Sequence, residues 1–207
     1  NLDLNAAIGN GATAGATSIA VSGTSNIGAN VTSSGTQTYT GAVTLSADVN
    51  LTGSTITTNS TVAGGTNNLT VTGNVVFGDA TTDTVTGVAV LDITGNTTIH
   101  TDTITTSSTQ TYGDATSDTI TIGAATTTLT TTNSQITFSG TVNSEANEAN
   151  NLTLSVGSSE VQFDAAVGTG TNGTLGIVGI TGALDLNAAI GSGATAGAAT
   201  ISVSTTS

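Results

Sequence analysis

Residues 2–24 read LDLNAAIGNGATAGATSIAVSGT, and residues 184–206 read LDLNAAIGSGATAGAATISVSTT. The two align without a gap at an offset of 182, with 18 identities in 23 positions. Scattered Thr and Gly matches arise by composition, but LDLNAAIG twice does not. The chain therefore reads as one long repeat over residues 1–183 and the start of the next over 184–207. It reads as a window from a longer tandem array.

Weaker copies lie inside the long repeat. Phe77-Gly78-Asp79-Ala80-Thr81-Thr82-Asp83-Thr84 is echoed by Tyr112-Gly113-Asp114-Ala115-Thr116-Ser117-Asp118-Thr119, 35 residues on. Thr36-Gln37-Thr38-Tyr39 returns as Thr109-Gln110-Thr111-Tyr112 at an offset of 73. Asn67-Asn68-Leu69-Thr70 returns as Asn150-Asn151-Leu152-Thr153. The unequal offsets predict rungs of varying length.

Between these motifs the chain alternates. Val43-Thr44-Leu45, Leu69-Thr70-Val71, Ile120-Thr121-Ile122, Ile136-Thr137-Phe138 and Val161-Gln162-Phe163 each set apolar side chains on one face and polar ones on the other. Gly, Asn, Asp and Ser punctuate the runs about every 8 residues. Helical spacing is absent. Many short strands build either a sandwich or a solenoid. Open-ended repetition, few aromatics and dispersed Gly favour the solenoid. With about 20 residues a rung, one repeat makes about nine rungs and, at about 4.8 Å each, a rod about 43 Å long.

Composition narrows the function. Thirteen acidic groups face no Lys or Arg, giving a formal charge of −13. Nucleic-acid binding through phosphate neutralisation is excluded, as is electrostatic attraction to an anionic membrane. So is every reaction that needs a lysine or arginine. Without Cys there is no disulfide or thiolate site. No apolar run is long enough to span a bilayer as a helix. No trypsin site exists either. Thr supplies 49 residues, a strand-forming bias.

Few residues carry chemistry. His100 is the single histidine, placed by alternation on the solvent side of its strand opposite Ile99. Asp79 with Asp83 and Asp114 with Asp118 are the closest carboxylate pairs. As an acid–base pair they would belong to a glycosidase, but their duplication in one repeat argues for a turn. They are also the candidate weak Ca²⁺ ligands, since clustered oxygens suit that ion. The competing reading is that each Asp caps its own turn. Thr103-Ile104-Thr105, Thr119-Ile120-Thr121 and Thr130-Thr131-Thr132 resemble the threonine arrays of ice-binding solenoids, in composition alone. Sequons stand at Asn30, Asn50, Asn59, Asn68, Asn96, Asn151 and Asn172.

Thr36-Gln37-Thr38-Tyr39 followed by Gly41-Ala42-Val43-Thr44-Leu45, then Val49-Asn50-Leu51-Thr52-Gly53, resembles the repeats of very large secreted bacterial adhesins of the filamentous-haemagglutinin class. Asn67-Asn68-Leu69-Thr70-Val71 and Leu184-Asp185-Leu186-Asn187 fit the same style. The resemblance implies a parallel right-handed β-helix, extracellular or on the cell surface, in a fibre that mediates adhesion or builds matrix or biofilm. It brings no catalytic residues. The expected partners are other copies of the chain, end to end or side by side, and a host or surface glycan. The alternative function is a binding module for ice, Ca²⁺ or glycan. Glycan binding usually shows exposed aromatics. Here Phe77, Phe138 and Phe163 alternate as core residues, while Tyr39 and Tyr112 read either as glycan contacts or equally as caps of stacked rungs.

Overall fold

The computed structural model describes residues 1–9, 13–169, 173–191 and 197–205. The described residues form 21 strands and no helix, and every strand pairing is parallel. The chain is a β-solenoid. Each turn contributes one strand or bridge to each of three faces, and the described strands trace nine turns and the first face of a tenth.

The pairing ladder defines the faces. On face one, Leu2–Leu4 is covered by Ser25–Ile27, then Val43–Leu45 and Val62–Ala63, up to Ala198–Ser204. Face two starts at the bridge from Ile8 to Val31 and climbs through Leu51, Val71, Ile93, Tyr112, Phe138 and Phe163 to Leu186. Face three starts at Ile19–Val21 and runs through Gln37, Ile56, Val75, Thr97, Ile120, Val142 and Val167 to Ile190. Some strands, such as Val49–Thr58 and Asn151–Phe163, continue unbroken round a corner. Turn length varies from 18 residues, Ser25 to Val43, to 26, Leu154 to Ile180. The variable rungs expected from the unequal offsets are present.

Alternation sets the interior. Ile136 and Phe138 are fully buried while Thr137 between them is half-buried, and the same buried–outward–buried pattern marks Leu91–Ile93 and Gln110–Tyr112. In-register stacking puts each inward side chain against its counterpart one turn away. Leu129 on Leu154 and Leu154 on Ile180 are such pairs. Tyr112, Phe138 and Phe163 form a column of rings with centroids 5.2 and 5.0 Å apart and planes tilted by only 13° and 8°. The rung spacing, not the ring quadrupoles, dictates this near-parallel stack.

The corner between faces two and three is tight. Gly35, Gly53, Gly73 and Gly95 follow one another there, and a Cβ on Gly73 (φ 130°) would collide with the Gly53 carbonyl oxygen. No other residue fits that position.

The alternation gives a direct check. Phe138→Ala should cost about 3–5 kcal/mol by opening a gap in the ring column. Thr137→Ala, one residue away and outward, should stay within about 0.5 kcal/mol. Urea unfolding of both variants measures the difference. Equal losses would mean the inward and outward sets are misassigned.

Candidate functional site

The repeated motifs are corner devices. In the first, Asp83 Oδ2 accepts from the backbone N–H of Asp79 and Ala80, each at 3.2 Å. Asp118 Oδ2 does the same for Asp114 and Ala115 at 3.1 and 3.0 Å. A backbone bond closes each turn, Asp83 N to Ala80 O and Asp118 N to Ala115 O. Gly78 and Gly113 precede them with φ of 75° and 78°. The Asp83 and Asp118 carboxylates thus serve as turn caps. Among the described residues no group of three or more His, Asp or Glu is placed to hold a metal ion.

The second device lies in the core. Tyr39 and Tyr112 are fully buried, so neither the exposed glycan-contact reading nor the rung-cap reading holds. Each hydroxyl donates to the Gln two residues earlier: Tyr39 to Gln37 Oε1 at 2.9 Å, Tyr112 to Gln110 Oε1 at 2.8 Å. The Gln amide in turn donates to a carbonyl of the next turn, Gln37 to Thr52 at 2.8 Å and Gln110 to Thr130 at 2.9 Å. It also reaches the Ser33 or Thr106 hydroxyl four residues upstream. The cassette seals two polar side chains inside an apolar prism by satisfying them there.

The third device clamps turn to turn. The Asn74 side-chain oxygen accepts from Asn96 N at 3.0 Å, and Asn96 accepts from Thr119 N at 2.8 Å. Asp48, Asn68 and Val90 form a second such ladder. In both Asn-Asn copies the first Asn donates to a carbonyl of the turn before, Asn67 to Leu45 and Asn150 to Ile122. The second accepts from the turn after, Asn68 from Val90 and Asn151 from Ile177. Four of the sequons (Asn30, Asn68, Asn96, Asn151) are clamps of this type. Asn172 lies outside the described residues.

Outward surfaces complete the picture. Register sets Thr103 beside Thr128 and Thr153, and Thr105 beside Thr130 and Ser155, on face one. Thr121 stacks on Thr98 on face three. Thr131, by contrast, is buried. His100 sits half-exposed just past the strand Thr97–Ile99, with Nε2 at 3.8 Å from Glu145 Oε2.

No family model, no curated protein and no solved structure matches the chain.

Burial pushes the Tyr39 hydroxyl up to about 12 from 10.0, and raises Tyr112 as well. The unfolded chain therefore loses these protons first. Stability is whole below pH 10 and falls as pH climbs from 10 toward 12. A melting temperature that is level from pH 7 to 9 and drops steeply above pH 10 is expected, with the drop reduced in Tyr39→Phe/Tyr112→Phe. A double variant with an unchanged alkaline profile would place the sensitivity elsewhere.

Proposed function

We propose that the chain is a structural segment of an extracellular fibre or giant adhesin, acting in surface attachment, matrix or filament formation without catalysis. One observation carries this reading. The LDLNAAIG sequence builds strands of one parallel ladder in both of its copies, at Leu2–Leu4 and again at Leu184–Leu186, and a repeat that stacks onto its own coil is the construction of a fibre. Stacked backbone ladders resist tension and solvent along the whole rod. The motifs that repeat are those that hold turns together, and none gathers reactive groups into a cleft. The charge of −13 makes neighbouring rods repel at low salt.

A second reading takes the in-register hydroxyls of face one as a binding surface for ordered water. It rests on the Thr103–Thr128–Thr153 column. Inhibition of ice recrystallisation that is lost in Thr128→Lys would favour it, and no inhibition would remove it.

Attachment tests the main reading. Cells that display the chain on their surface should adhere to glass and to each other several-fold more than cells without it. The effect should grow from 10 to 150 mM salt, as the screening length falls from about 30 to about 8 Å. Equal attachment with and without the chain would overturn it.

A further inference from the structure

The repeats do not return to their own faces. Leu2–Leu4 lies on face one, but its copy Leu184–Leu186 lies on face two, paired with Val161–Phe163. Ile8 lies on face two and its copy Ile190 on face three. Ile19–Val21 lies on face three and its copy Ile201–Val203 on face one of the next turn. The 182-residue repeat therefore spans eight turns and one further face.

The inner repeats behave alike. Gln37-Thr38-Tyr39 is on face three and Gln110-Thr111-Tyr112 on face two. Phe77 leads into its Asp turn from face three, Tyr112 from face two. Leu69 is on face two and Leu152 on face one. Each copy keeps its hydrogen bonds while changing face. The interchangeable unit is thus one face with its corner, not one turn.

We propose that successive copies of the repeat stack as one coil, the 25–45 segment of each copy covering the strands at Leu184–Leu186 and Ile201–Val203 of the copy before it and sitting one face, a third of a turn, round from it. The proposal rests on the fibre reading. The pairings of the first copy say what the second would meet. Leu186, Ile201 and Val203 continue the core columns of Phe163, Val178 and Ile180. Their counterparts Leu4, Ile19 and Val21 are half-covered, by Ile27, Gln37 and Tyr39 respectively. The same 25–45 sequence would cover the same residues at the far end. The polar rim agrees: Asn26 donates to Asp3 Oδ1 at 3.1 Å, and Asp185 presents the equivalent carboxylate. In a long array each surface feature would then appear on all three faces in succession, every 40 Å or so along the rod at about 4.8 Å per turn. Such a fibre offers its contacts in every direction round its axis.

The test is a chain of three copies, residues 1–207 followed twice by residues 26–207, with Thr98→Cys in each copy. The protein has no other cysteine, so a small maleimide–gold cluster marks the same outward residue in each copy, on face three in the first. Electron microscopy should show one continuous rod with three labels that step by about 120° round the axis. Labels in a single line on a continuous rod would overturn the seating and leave the fibre reading intact. Three separate bodies joined by strings would overturn both.

Discussion

The whole molecule depends on one constraint: each turn must donate and accept its backbone hydrogen bonds to the turns above and below, in parallel and in register. That ladder fixes the rise of the coil, and the rise fixes which side chains meet. Inward positions then stack residue on residue, as Leu129 and Leu154 or Phe138 and Phe163 do. Outward positions line up as hydroxyl or amide columns. A turn can gain or lose residues only at its corners, where the ladder does not dictate length. This is why the turns range from 18 to 26 residues while the columns stay intact.

The same constraint gives the missing cations a consequence. A carboxylate here has no Lys or Arg to meet, and the donors it finds are amides. Asp48 receives the Asn68 backbone and side-chain N–H, Asp83 and Asp118 receive two backbone N–H groups each, and Asp164 receives Gln162 and Asn187. Hydrogen bonds to a charged acceptor are stronger than neutral ones. Acid groups thereby become clamps and turn caps, and the surface keeps its negative charge.

Much of the fold was legible in the residues. Alternation in Ile136-Thr137-Phe138 marks inward and outward positions, Gly-Asp-Ala-Thr marks a turn, and open repetition marks a solenoid. Three things were not legible. Tyr39 and Tyr112 look like surface aromatics until Gln37 and Gln110 are seen to satisfy their hydroxyls in the core. The Thr103–Thr128–Thr153 column is hidden because its members are 25 residues apart, a spacing that corner lengths set and alternation does not encode. The face on which a motif falls is hidden for the same reason, since it needs a count of every corner between copies. At the candidate site, the turn-cap role of Asp83 and Asp118 was one of two readings. Only the geometry shows which oxygens are occupied.

The central claim is that residues a full turn apart in sequence are immediate neighbours in space. Spin labels at Thr98→Cys and Thr121→Cys test it most directly. These outward residues are 23 apart in the chain and paired on face three. The doubly labelled protein should show strong dipolar broadening at the spacing of adjacent strands, about 4.8 Å between backbones. A spectrum equal to the sum of the two single labels would contradict the stacked solenoid.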